Sequence, residues 1–548
     1  MNTKTTRSPL VVMLAATGCF SLVPTENSPC PCGTGFECCG ATQTCAPVGT
    51  CESAGGGGGG ALGGGTGGGG EANGGGGGGE EETDGGADAG FRLPELSPLP
   101  IVTDDTAPSL SLIRGLVPPA QLRMVGETAY VLALNAAVCS PDPNSPVSIA
   151  VSRFEFIAGA WTLIWMTPLP VTVGPALNMI ATASGVTVVG AGQVDGQAPR
   201  GANEAFVLRV NPDGSVGWTR RFATLFDDQA QRLVATPSGK IVVVGVTGGG
   251  LEGNTAQGSY DVFVTQLTDD GTVEWVKQFG SHLDESPQRL LALEDDSVVV
   301  SGWTRGELVP GATVVDYGFF IRKFDSTGAT QWTRQHPFDA RWAELERWGS
   351  GFVVADTGFL SVVARLASDG TLEWANTHSV VIGVPEALTI SAIDPDTVAI
   401  HGLQNIPTPS SMYHELAEQL WTADGGMTTT RGIGGGWPRQ GDSLARMKIT
   451  HRSDGAMFIA GSGTVGPRRN LFSLSGFTPT GGTRIANYDW LLEGPEYRNN
   501  FDNTDFDSTM DPEDLAFTPG GAIVLLSRVA AIDCPRRAGW LAIGHLQP

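Results

Sequence analysis

The stretch "DVFVTQLTDDGTVEWVKQFGS", residues 261–281, decides the fold. Its first half is a β-branched and aromatic run, Val262-Phe263-Val264-Thr265-Gln266-Leu267, which suits a pleated strand. Asp270-Gly271 supplies a turn, and a second strand follows with Trp275 four residues after the glycine. The same phrase recurs as Asp213-Gly214-Ser215-Val216-Gly217-Trp218, Gly328-Ala329-Thr330-Gln331-Trp332 and Asp369-Gly370-Thr371-Leu372-Glu373-Trp374, with weaker copies at Gly159, Gly425 and Gly481. Successive glycines from Gly159 to Gly481 lie 55, 57, 57, 42, 55 and 56 residues apart. A fixed period of this length signals a stacked repeat rather than a cofactor loop.

Two further elements keep the beat. Hairpin turns such as "TASG" (182–185), "TPSG" (236–239), "WGSG" (348–351) and "TPGG" (518–521) each precede a β-branched run, as in Ile241-Val242-Val243-Val244-Gly245. Strands such as "FVLRV" (206–210), "FFIRKF" (319–324), "SVVARL" (361–366) and "WLAIGHL" (540–546) precede the Asp-Gly turns. Four short strands per unit, without helical periodicity, predict an all-β β-propeller of eight four-stranded blades over 91–548. The Trp-bearing strand occurs only seven times. The missing copy is expected from the N-terminal stretch 99–117, where "SLSLIRGL" (109–116) would complete the last blade and leave no free sheet edge. Cys139 and Cys534 follow equivalent strands of the first and last units. Ring closure would make those units neighbours, so a Cys139–Cys534 disulfide at the seam is expected.

The region before residue 91 has a different character. Lys4 and Arg7 precede the short apolar run Leu10–Ala16, a secretory leader too short to span a bilayer. It ends in Ala16-Thr17-Gly18-Cys19, which resembles a bacterial lipobox. That resemblance implies a signal peptide over 1–19 and a diacylglyceryl group on Cys19, although Ala16 stands where Leu is commoner. Residues 20–53 hold Cys30, Cys32, Cys38, Cys39, Cys45 and Cys51, too many for a segment that cannot bury a core of its own. Export favours disulfides there over zinc, with fifteen pairings open. Residues 54–90 form a Gly-rich acidic linker, with 19 glycines in 55–79. It has nothing to bury, and as a flexible coil it would span about 30–36 Å.

The repeat resembles bacterial propeller families with units of 55–60 residues ending in "dG…W…fG", which implies the fold and no particular activity. The Gly-x-x-x-Trp spacing is similar to the docking motif of quinoprotein propellers. There, the resemblance implies, tryptophans equivalent to Trp218, Trp275, Trp332 and Trp374 pack between adjacent blades. The calcium ligands and catalytic Asp of a quinone enzyme match no local motif here. Membrane-anchored relatives of such propellers that serve purely as docking platforms show what the resemblance implies for function. The preferred reading is a cell-envelope lipoprotein, outer-membrane or surface-exposed, whose tethered propeller is a protein- or glycan-binding or scaffold module. An exported quinone- or metal-dependent oxidoreductase is the alternative. The net charge of −24 argues against nucleic-acid partners. A monomer is expected, meeting the membrane only through its lipid.

Chemistry-bearing motifs are sparse. There is no G-x-S-x-G elbow and no P-loop. "HELAE" (414–418) has Glu418 where a zinc protease needs its second histidine, and it aligns with a blade strand. His336 and His378 follow their repeat tryptophans at the position of Phe222 and Phe279, which makes them core-edge substitutes. "DNTDFDSTMDPED" (502–514) reads first as a solvated acidic loop. No cofactor is expected on the preferred reading, although Asp502, Asp505, Asp507 and Asp511 could furnish oxygen ligands for Ca2+. Recognition is expected in the interruptions at 246–260, 303–316 and 403–413.

Overall fold

A computed structural model describes residues 36–39, 44–47, 101–102, 110–113, 116–136, 147–201, 203–356, 362–377, 389–407, 412–432, 447–452, 455–464, 470–478, 484–492, 510–529 and 540–546. The chain divides into two units, 1–90 and 91–548. In the first, Phe36–Cys39 and Thr44–Pro47 form an antiparallel hairpin that places Cys38 opposite Cys45 and Cys39 opposite Thr44.

The second unit is a β-propeller. Each blade is an antiparallel meander such as Asp228–Ala235, Ile241–Thr247, Asp261–Leu267 and Val273–Phe279. Eight four-stranded blades are the expectation from sequence; the structure has seven four-stranded sheets and one of five strands. The five-stranded sheet arises because Ile101–Val102 pairs in parallel with the outer strand Arg484–Leu492. The next sheet takes its fourth strand from Leu110–Ile113, which pairs antiparallel with Trp540–Leu546. The segment that the sequence marks as the missing strand therefore does complete the last blade. First strands of consecutive blades touch in turn, and Met510–Phe517 of the last touches Leu116–Val125 of the first, closing the ring around a bore.

Burial explains the sequence pattern. The second and third strands Ile241–Thr247 and Asp261–Leu267 are buried at every position, and those of the next blade at all but Trp303, Arg322 and Lys323. Neighbouring blades cover both of their faces, so their runs are continuously apolar instead of alternating. Outer strands such as Val273–Phe279 are exposed at the start and buried only at the final Phe. The shortened unit keeps all four strands, Ala343–Trp348, Gly351–Asp356, Val362–Leu366 and Leu372–Thr377. Its connection between second and third strands is five residues, against thirteen in the two preceding blades. That difference supplies eight of the fifteen residues missing from its glycine interval.

The tryptophans dock as the quinoprotein-like spacing implies. Trp218 lies on Gly271 of the next blade, where an added Cβ would meet the indole at 2.4 Å. Trp165, Trp275, Trp332 and Trp374 lie likewise on Gly214, Gly328, Gly370 and Gly425. Gly271 has φ +81, so the residue meets two demands, a left-handed turn and a flat seat for a ring. Indole Nε1 of Trp165, Trp218 and Trp374 donates to Pro212, Asp269 and Ala423 carbonyls at 2.9–3.0 Å. Two residues on, Thr167, Arg220 and Asn376 donate to the seat glycines' own carbonyls. His336 reaches the Gly370 carbonyl at 3.0 Å and lies near-parallel to both Phe319 and Phe338, which also meet each other. It fills the buried position held by Phe222 and Phe279, as expected; His378 lies outside the described residues.

Candidate functional site

Chain connectivity separates the two ends of the ring by role. The Asp-Gly turns, which join third to fourth strands, lie at one end with the tryptophan seats. Connections from an outer strand to the next blade, and from second to third strands, emerge together at the other end. That second end is the loop face.

Its loops are anchored by buried carboxylates. Asp228 opens the first strand of its blade and accepts from Thr224 N and Oγ1 and from Thr247 Oγ1, at 2.5–3.2 Å. Glu285, at the same place one blade on, accepts from Ser281 N and Oγ and from Thr304 Oγ1, at 2.5–2.8 Å. Each carboxylate thus joins an inter-blade loop to the root of a second-to-third-strand loop. Burial pushes both carboxyl groups above their ordinary range, against the opposing effect of these hydrogen bonds. Asp261 accepts from Gln257 N, Gly258 N and Gln278 Nε2, and Glu204 from Arg200 N and Arg221. Gln278 also accepts from Leu251 N, and Gln335 from Leu308 N and Val309 N, so the long loops are pinned at their centres too. The interruptions 246–260 and 303–316 are therefore ordered loops. The third, 403–413, is different: strands Thr397–Pro407 and Met412–Thr422 extend the hairpin to Pro407 opposite Met412.

Aromatic and apolar side chains stand on this face. Leu225 and Phe226, in one inter-blade loop, are 80% and 61% exposed; Leu283 and Trp342 occupy the next two such loops and are also exposed. Tyr260 and Tyr317 each sit one residue before a third strand, in consecutive blades.

The bore is polar and cross-braced. Gln121 Nε2 and Arg123 Nε donate to the Leu177 and Met179 carbonyls of the next blade, and Arg289 pairs with Glu344. At the seam, Asp514 accepts from Leu122 N at 2.8 Å and Arg123 Nη1 at 3.1 Å, so this aspartate of the acidic run is an inter-blade latch.

One core departs from the repeat. His401 and Glu418 face each other across adjacent strands where other blades place Val244–Val264 or Ser301–Ile321, and their side chains meet at 3.0 Å. His451 of the next blade lies against His401, with ring centroids 5.3 Å apart; burial first, and His401 second, push its pKa down to about 3. "HELAE" thus lies within the strand Met412–Thr422, and its Glu418 belongs to a buried pair. Among the described residues no group of three or more His, Cys, Asp or Glu is arranged to hold a metal.

Cys19, Cys30, Cys32, Cys51, Cys139, Cys534, Asp502, Asp505 and Asp507 lie outside the described residues. Asp511 lies in the strand Met510–Phe517, opposite Arg528. The anchors Asp228 and Glu285 escape a motif search, although a signal for them exists. Each lies six residues after the Phe that ends a blade, and Thr247 and Thr304 each follow the strand glycine by two.

Several solved structures align with this chain at low identity. The Dos1 propeller aligns at 9% identity over 80% of this chain and 94% of its own, with a TM-score of 0.44. The β-propeller domain of the Trilobed protease from Pyrococcus furiosus aligns at 12% identity over 68% and 95%, with a TM-score of 0.36. Puromycin hydrolase aligns at 12% identity over 74% of this chain, with a TM-score of 0.39; the chain spans only 58% of that protein. No family model matches the sequence, and neither does any curated protein.

Proposed function

We propose that the chain is an exported lipoprotein, acylated at Cys19, whose propeller serves as a binding or scaffold module for an envelope protein or glycan. The leader, the lipobox-like Ala16-Thr17-Gly18-Cys19 and the glycine linker support the anchored placement. The carrying observation is the loop face. Asp228, Asp261 and Glu285 spend buried carboxylates on fixing loop backbones. Loops fixed before a partner arrives lose little conformational freedom on binding, which is the usual route to affinity on a rigid scaffold. The repeat tryptophans are engaged at the opposite end, so ring integrity and recognition are separable.

Two measurements test this. Metabolic incorporation of a clickable fatty acid should label the wild-type chain and not Cys19→Ser; equal labelling removes the anchor. The full chain should retain an envelope component, and Asp228→Ala with Glu285→Ala should weaken that retention while the propeller stays folded. Retention unchanged by both substitutions would move the binding surface away from the loop face.

A further inference from the structure

The loop face carries a row of aromatic and ion-paired groups across three consecutive blades. Tyr260 heads it. Its backbone carbonyl accepts from Glu285 N at 2.9 Å, and it bridges to Asp284 of the next inter-blade loop. Arg305 then lies between Asp284 and Asp316, at 3.5 and 2.9 Å. Tyr317 follows, edge-on to Trp303 at 5.0 Å, with the guanidinium of Arg341 4.6 Å and that of Arg305 5.7 Å from its ring centre. Arg341 is held in a forked pair by Asp339 and also lies 5.4 Å from the ring of Trp342, which is 40% exposed.

Tyr317 has φ +61, a conformation bulky residues rarely adopt, and its carbonyl accepts from Ala340 N at 3.0 Å. Glycine would fit that backbone without strain, so a tyrosine in that conformation points to a use for its ring. Tyr260 and Tyr317 occupy the same place in successive repeats, which spaces two phenol rings by one blade. Trp, Tyr and Arg are the residues that most often dominate recognition surfaces.

The charge pattern selects the ligand class. Within this row Arg305 and Arg341 are each paired with Asp284, Asp316 or Asp339, so neither is free for a polyanion. What remains is the exposed ring of Trp342 with the half-buried rings of Tyr260 and Tyr317 beside it, alternating with fixed carboxylate and guanidinium hydrogen-bonding groups. Sugar rings present the complement: apolar C–H faces that lie on aromatic rings, and hydroxyls that bond to paired charges. We infer that the row from Tyr260 through Tyr317 to Trp342 binds a neutral polysaccharide chain running across the blades. The inference rests on the loop face being the binding surface and names its ligand class.

The test uses the full chain and its tryptophan fluorescence, titrated with cellohexaose, mannohexaose and chitohexaose, and with hexagalacturonate as the acidic counterpart. At least one neutral hexasaccharide should quench saturably, and the acidic one should not. Trp342→Ala and Tyr317→Gly should each weaken binding about tenfold or more. Tyr317→Gly relaxes the left-handed backbone but gives up the ring's packing on Trp303 and Arg341, so its melting temperature is compared with wild type first; if it melts lower, Trp342→Ala alone decides. Absence of quenching by every neutral hexasaccharide at millimolar concentration, equal binding of the acidic one, or wild-type binding by Trp342→Ala would overturn the inference. If no sugar binds but an envelope protein is retained and then lost with Trp342→Ala, the glycan assignment fails and the binding face stands. If retention survives that substitution as well, both fail.

Discussion

Replacing Gly271 with alanine separates two costs that one glycine hides. At φ +81 a Cβ is strained whatever surrounds it, by about 1–2 kcal/mol. The same Cβ would also press into the Trp218 indole at 2.4 Å, and overpacking of this kind costs about 1–3 kcal/mol. Gly271→Ala should therefore destabilise by about 2–5 kcal/mol. Gly239 is the internal control: its φ is +83, but nothing lies within 4 Å of its Cβ position, so Gly239→Ala should cost only the backbone share. Trp218→Ala, at a half-buried site, should cost about 2–3 kcal/mol, below the range for full burial. In that background Gly271→Ala should fall to the Gly239 value, which makes the double-mutant coupling about 1–3 kcal/mol. Urea unfolding followed by far-UV circular dichroism reads all five proteins, with equal m values showing that the same transition is compared. If Gly271→Ala and Gly239→Ala cost the same within about 0.5 kcal/mol, or the cost at Gly271 persists without the indole, the ring-on-glycine joint is refuted.

Glu285 is a carboxyl group whose folded pKa is raised by burial, so its contribution is full below the unfolded value and is lost as pH rises through the folded one. Glu285→Gln should remove that loss, so the wild type's stability relative to the variant should decline as pH rises from about 4.5 in parallel denaturation curves. His336 is the opposite case, a base whose folded pKa is lowered chiefly by burial, and its contribution is lost as pH falls below the unfolded value. His336→Phe should gain on wild type in melting temperature between pH 7 and pH 5, at about the usual histidine titration. Deleting 91–113 removes the last blade's outer strand and uncovers the edge of Trp540–Leu546. Hydrogen exchange in 540–546 should accelerate and the protein should self-associate; unchanged protection would show that the strand is not needed for closure.

The parts of the fold that repeat were legible in the sequence. The Gly-to-Trp interval marks the joints because one chemical requirement, a flat seat for an indole, recurs at Gly271, Gly328 and Gly370. His336 was legible for the same reason, since its neighbours in register are phenylalanines. The five-stranded sheet was not, because a two-residue parallel pairing at Ile101–Val102 leaves no periodic trace. Nor was the aromatic row. Tyr260 and Tyr317 belong to loops that interrupt the pattern, and the partners of Tyr317 come from the opposite end of its own loop, Arg305, and from the following inter-blade loop, Arg341. The pair His401–Glu418 was hidden differently: it takes core positions where the repeat predicts valine, and only the strand register puts the two opposite each other.

The tryptophan joint is directional. Each of the four units that carry Trp218, Trp275, Trp332 and Trp374 presents an indole on its outgoing side and a glycine seat on its incoming side, so contacts run head to tail and are heterologous in kind. A unit duplicated whole arrives with both halves and can join any neighbour of its type without new complementarity. The number of units is then fixed by the rotation between neighbours and by where the two ends of the chain meet. Growth by copying is therefore inexpensive for such a chain up to the size at which the circle closes, and surplus copies would have no seat left to fill.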